Sequence, residues 1–149
     1  MKTQLMLIFL AIIAGVVLPF QAVLNVQLGK TVQQPIFAAF ATFVLGSLTL
    51  LTYLLIIKFD FASIIQAKNS SPTVWLGGIL GAFYVTAVII LSPKLGTALT
   101  FGLVVAGQMI VSLILDHFGI LGLPIKEINW QKATGIILLL ISVIIIQKY

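Results

Sequence analysis

Amide side chains stand inside long apolar runs of this sequence, where a polar group needs a hydrogen-bond partner. Gln21 and Asn25 are four residues apart in the first run, and Gln108 lies near the middle of the fourth. Residues four apart share one face of a helix, so Gln21 and Asn25 are predicted to act together. An amide in hydrocarbon costs free energy unless it is paired. We therefore predict that these side chains face other helices or a water-filled cavity.

Aromatic and hydroxyl groups accompany these amides. Steps of about 100° per residue put Phe101, Gln108 and Ser112 on one side of a helix. Tyr84, in the third run, carries a hydroxyl that needs a partner from either the protein or a solute. We predict that six residues line a solute-binding cavity: Gln21, Asn25, Tyr84, Phe101, Gln108 and Ser112.

Proline and glycine within the runs predict bending and close packing. Pro19 removes the helical hydrogen bond to the Gly15 carbonyl, so a kink is predicted there. Gly77 and Gly81 form a GxxxG pair, and Gly102 has the small-residue spacing that lets helices approach closely in lipid. Interrupted helices are typical of transporter binding sites, although a kinked helix that only packs fits the same pattern. These five positions are the predicted hinge and packing residues.

Two titratable residues follow one another at the end of the fourth run. Asp116 and His117 suggest a proton relay, and their place at the membrane boundary also suits a solvated or headgroup-paired role. The remaining acids, Asp60 and Glu127, lie in loops, and the chain has one His and no Cys. No paired carboxylates, metal-ligand set or nucleophile constellation results, so neither an enzyme, a metal site nor a cofactor is predicted.

The composition indicates the environment of these residues and the helices that carry them. With 61% hydrophobic and 7% charged residues, and a mean hydropathy of +1.26, the chain is not a water-soluble globule. Five apolar runs predict an all-α integral membrane protein, a single transmembrane domain over residues 1–149 whose solvent is lipid. Lys2 precedes the first run, but no small-residue cleavage site follows it, so this run is predicted to be a retained span. The predicted spans cover about 4–28, 35–57, 72–91, 96–115 and 130–147.

Capping residues and prolines predict where the helices begin and end. Ser71 is predicted to cap a helix that begins at Pro72, and Asn129 to cap the last helix. Pro93 is predicted to end the third helix. Small residues also recur at every fourth position of the second run, a spacing that predicts a packing ridge without chemistry: Ala38, Thr42 and Gly46.

The basic residues point to the membrane surface. The net charge of +5 comes from eight Lys and no Arg, all near the ends of apolar runs, where they anchor helices to headgroups and do not indicate nucleic-acid binding. Five spans place the termini on opposite sides. The lysines then divide five against three, a small bias that favours a cytoplasmic N-terminus and permits insertion in both orientations. Two copies inserted oppositely would pair antiparallel as an inverted repeat.

Four motifs resemble a known family. They run from Pro19 to Gly29, from Leu76 to Tyr84, from Pro93 to Gly96 and from Ala106 to Gly122, and the resemblance extends over nearly the whole chain. They resemble the short YdcZ-type branch of the drug/metabolite transporter (DMT) superfamily. The resemblance implies a five-helix half-transporter, equivalent to one half of a DMT-type inverted repeat. It further implies a homodimer, or a pair of homologous subunits, in the bacterial inner membrane.

The chain differs from a neighbouring branch. Small multidrug exporters carry an acidic residue in the first span that exchanges protons for cationic drugs, whereas this first span offers Gln21 and Asn25. Amides form hydrogen bonds but do not titrate, so that mechanism is not expected here. We expect a dimeric secondary transporter that exports a small neutral, zwitterionic or amphipathic solute by alternating access. A non-transporting scaffold or regulatory subunit, and a flippase for a lipid-linked solute, are the alternatives.

Overall fold

A computed structural model describes residues 2–149 as helices joined by short loops, with no strand in that range. All five predicted membrane helices are confirmed, since each is long and apolar enough to cross a bilayer. Short 3₁₀ segments lie between them at Phe61–Asn69, Pro72–Trp75 and Ile120–Gly122. The helices are α1 (Lys2–Thr31), α2 (Pro35–Ile56), α3 (Leu76–Leu95), α4 (Thr97–Phe118) and α5 (Trp130–Lys148).

Two helix ends differ from the sequence-based expectation, and a third agrees with it. Pro72 begins a 3₁₀ segment and not an α-helix, and the Ser71 hydroxyl pairs with Thr73 Oγ1 at 2.8 Å without capping the backbone. Pro93 lies inside the last turn of α3. Its missing N–H removes only one helical hydrogen bond there, so the helix continues to Leu95. The predicted Asn129 cap is confirmed, because its side chain accepts a hydrogen bond from Lys132 N at 2.9 Å.

The chain divides into two compact units, one within Met1–Pro93 and one at Lys94–Tyr149. The prediction of a single transmembrane domain stays a prediction. In the first unit, α1 and α2 form a hairpin around a three-residue turn. Small residues let the helices approach: a Cβ on Gly29 would lie 3.4 Å from Pro35 Cα and 3.6 Å from Ala38 Cβ. Helix α3 packs on this hairpin through Ile89, which forms a buried cluster with Ala38 and Ala39.

In the second unit, α4 and α5 pack closely at Gly102. A Cβ there would lie 3.3 Å from Val143 Cγ2, and Val143 is buried. Helix α4 ends at Gly119, which adopts φ +59° and so turns the chain into the loop before α5. Backbone N–H groups of the loop hold it to the helix, since Lys126 N donates to the Asp116 carbonyl at 2.9 Å.

The close packing at Gly102 generates a stability prediction. Gly102→Leu forces a side chain into the space that Val143 occupies, so we expect a loss of about 1–3 kcal/mol in the free energy of unfolding. Gly135→Leu is the matched control, because a Cβ on Gly135 would meet nothing within 4 Å. Both changes raise helix propensity alike. Thermal unfolding in detergent measures the difference, and equal stability of the two variants would contradict the packing role of Gly102.

The turn at Gly119 generates a second prediction. A Cβ on Gly119 would lie 2.8 Å from Ile125 Cγ1, in addition to the strain of a left-handed residue, whereas Gly122 has φ +80° and nothing within 4 Å of its Cβ. We therefore expect Gly122→Ala to cost about 1–2 kcal/mol from strain alone, and Gly119→Ala to cost more. Amide hydrogen exchange across the α4–α5 loop checks this order, which would be reversed if strain and not the Ile125 contact dominated.

Candidate functional site

Asn25 lies on the buried face of α1, 8% exposed, and is tied to the neighbouring helix. Its Oδ1 accepts a hydrogen bond from Thr42 Oγ1 of α2 at 2.6 Å. Gln21, one turn earlier on the same face, is half-buried. The structure thus keeps the predicted amide pair together and adds a partner from α2.

The partner Thr42 was assigned by the sequence to a packing ridge without chemistry. Six other hydroxyls of the spanning helices donate to a carbonyl one turn earlier, as a polar group in a helix can do without outside help. Thr42 instead donates across to Asn25. The residues that follow the common pattern are Thr31, Thr49, Thr52, Thr100, Thr134 and Ser142.

The hairpin register explains why Thr42 meets Asn25. Gly29 and Ala38 face each other across α1 and α2 near the turn. One turn further from the loop, Asn25 and Thr42 form the next pair. Four-residue steps on both helices keep the two faces in contact. Once α1 and α2 are known to form a close hairpin, this register identifies Thr42 as the partner of Asn25.

The next step along the same register leaves space. Gly46 follows Thr42 at the same four-residue spacing, and a Cβ on Gly46 would meet nothing within 4 Å. This glycine therefore makes no close helix contact at its Cβ position. The ridge formed by Ala38, Thr42 and Gly46 is therefore not packed at Gly46.

Tyr84 also belongs to the first unit. It is half-buried on α3, one turn before the buried Val88. The GxxxG pair that precedes it packs unequally: a Cβ on Gly81 would lie 3.4 Å from the Phe43 ring, whereas nothing lies within 4 Å at Gly77. The close crossing predicted for both glycines is therefore limited to Gly81, where the Phe43 ring fills the space.

The other three predicted binding residues lie on α4 in the second unit. Phe101 is half-buried, whereas Gln108 and Ser112 are exposed. Their convergence with Gln21, Asn25 and Tyr84 in one cavity stays a prediction.

The remaining predicted hinge residues lie within α1. Pro19 is inside the helix, which continues without a break to Thr31. Because proline lacks an N–H, the Gly15 carbonyl has no helical donor at position 19, and the kink at Pro19 stays a prediction. A Cβ on Gly15 would meet nothing within 4 Å, so this glycine makes no close helix contact within the chain.

Asp116 and His117 lie in the last turn of α4 and hold the loop that follows. His117 Nδ1 accepts a hydrogen bond from Ile128 N at 3.3 Å, and the Asp116 carbonyl binds Lys126 N. Both contacts are structural, and a proton-relay role for the two side chains stays a prediction. Across residues 2–149, His, Asp and Glu form no group of three that would hold a metal ion.

Two hollows on the first unit lie apart from the predicted binding residues. One, of about 640 Å³, is apolar and lies between Ile36 and the outer face of α3 around Phe83 and Thr86. The other, of about 330 Å³, lies beside the α1–α2 turn and includes Lys30 and Gln33 at its rim. None of the six predicted binding residues lines either hollow.

Comparison with known proteins identifies the family. Residues 6–145 match the model of the family described as "Putative inner membrane exporter, YdcZ". No curated protein and no solved structure matches the chain. The match covers almost the whole sequence and agrees with the five spanning helices, so the protein is a multi-pass inner membrane protein of exporter type. The chain belongs to the YdcZ family of the DMT superfamily.

Proposed function

We propose that this chain is one subunit of a dimeric secondary transporter that exports a small neutral, zwitterionic or amphipathic solute by alternating access. The family description supports export. The observation that carries the proposal is the exposure of Gln108 and Ser112 within a membrane-spanning helix. An exposed amide in hydrocarbon is costly, so a second subunit or a solute must cover it.

The same side chains suit a solute without net charge. Gln21, Asn25 and Gln108 offer hydrogen-bond donors and acceptors, and α1 carries no carboxylate that would attract a cation. Tyr84 and Phe101 add aromatic surface for the apolar part of an amphipathic solute. In this proposal the six residues bind the solute between two subunits, and the Pro19 region and the glycine contacts permit the rocking motion.

An antiparallel arrangement of the two subunits follows from the lysines. Five of them lie on the N-terminal side of the membrane and three on the other, which is a weak orientation signal. Oppositely inserted copies reproduce the inverted repeat on which many transporters are built.

A scaffold role is the second candidate, and one contact favours it. The Thr42–Asn25 hydrogen bond ties α1 to α2, as expected for polar residues that only join helices. In that case no solute raises the melting temperature of the protein, whereas a transporter subunit is stabilised by the solute that it binds.

Replacement of Gln108 tests the transport proposal. In proteoliposomes, counterflow is first measured with radiolabelled neutral, zwitterionic and amphipathic solutes, and the best solute is kept. We expect Gln108→Leu to lower its flux about fivefold, since a lost hydrogen bond is worth about 1 kcal/mol and 1.4 kcal/mol is a factor of ten. Gln27→Leu is the control, because Gln27 is exposed near the end of α1. Unchanged flux in folded Gln108→Leu would remove this residue from the site.

Insertion in both orientations gives a separate prediction. The chain has no Cys, so single cysteines at Lys2 and at Tyr149 report on each terminus without background. We expect each cysteine to react with a membrane-impermeant maleimide in part of the population, from either side of the membrane. Labelling from one side only would exclude the antiparallel homodimer and leave a paired homologous subunit.

A further inference from the structure

We propose that Thr42 is a positioning residue that holds the Asn25 amide with its NH₂ group free, so that the site binds a solute through a hydrogen-bond acceptor oxygen. The inference rests on the proposed function and names the chemical class of the solute group, a carbonyl or carboxylate oxygen. An ammonium group is the class that this arrangement disfavours.

The distance fixes which end of the amide Thr42 binds. At 2.6 Å, the contact between Thr42 Oγ1 and Asn25 Oδ1 has the length of an O–H···O hydrogen bond and is short for N–H···O. Thr42 Oγ1 donates its proton to Oδ1, so one lone pair of that oxygen is used and the other stays free. Both protons on Nδ2 are left for another partner.

The free nitrogen is reachable. Within residues 2–149, the one side-chain nitrogen or oxygen that is enclosed without a partner is Ser92 Oγ. Asn25 Nδ2 is not enclosed in this way, and its residue keeps a small exposed fraction of 8%. A small group can therefore approach the amide nitrogen.

The chemistry of this group follows from its donors. An NH₂ group without a protein acceptor gains most from an oxygen that supplies lone pairs, and the low local dielectric strengthens such a bond. An ammonium group donates only, so it can use at most the second lone pair of Oδ1 and leaves both Nδ2 protons without an acceptor. The hydrogen bond from Thr42 thus leaves Asn25 with two free donors and one free acceptor position.

Two solutes of nearly equal shape test this preference. N,N-dimethylbenzamide carries a carbonyl acceptor and no N–H donor, whereas N,N-dimethylbenzylammonium carries a donor and no acceptor. The full chain, labelled with ¹⁵N-asparagine in lipid nanodiscs, shows three side-chain amides: Asn25, Asn69 and Asn129. The signal missing from Asn25→Gln identifies Asn25, and the two loop residues report non-specific effects.

We expect the benzamide to shift the Asn25 signal saturably and the benzylammonium to leave it unchanged. Thr42→Val should weaken the benzamide affinity about five- to tenfold, as for loss of one hydrogen bond, and Thr42→Ser should restore it. Equal shifts with both solutes, a shift that does not saturate, no shift at all, or unchanged affinity in Thr42→Val would each overturn the proposal. The native protein alone tests the solute preference if Thr42→Val does not fold.

This readout separates the inference from the proposed function. A protein that binds the benzamide at Asn25 but gives no counterflow in proteoliposomes fails as a transporter while the role of Thr42 stands. A protein with counterflow of its best solute but equal Asn25 shifts from both probes keeps the transport function and loses the role assigned to Thr42.

Discussion

A polar side chain inside hydrocarbon has no water to bind, so its partner must come from the protein or from a solute. Hydroxyls such as Thr49 and Thr52 meet this constraint within their own helix. The Asn25 amide takes its partner from α2. Gln108 and Ser112 are exposed on α4. Some polar groups therefore have a partner within their own unit, and the transport proposal depends on those that are exposed.

Small residues allow the first set to form. Gly29, Ala38 and Ala39 bring α1 and α2 together near their turn, and Ile89 of α3 packs on the same place. The hydrogen bond between Asn25 and Thr42 lies directly beyond this contact. One turn later Gly46 leaves open space. The hairpin is thus closely packed where its polar contact must be held, and it has no close contact at Gly46.

The sequence was sufficient for the architecture because apolar length and membrane thickness determine a spanning helix almost alone. It was less accurate at helix ends, where Pro93 is tolerated inside a last turn and Ser71 pairs with Thr73 and not with the backbone. Asn25 was recognised from its chemistry, but its partner was missed because Thr42 has the spacing of a packing ridge. The spacing within one helix shows which residues share a face. It does not show which residue of a second helix this face contacts.

The length of the three-residue turn between α1 and α2 determines which residues of the two helices meet in the polar contact. Each residue added to a helix advances it by about 1.5 Å and rotates it by about 100°. An insertion or deletion between Thr31 and Pro35 that changed the pairing by one residue would carry Thr42 away from Asn25 and bring an apolar neighbour to the amide. The number of residues in this turn therefore determines whether Thr42 can reach Asn25.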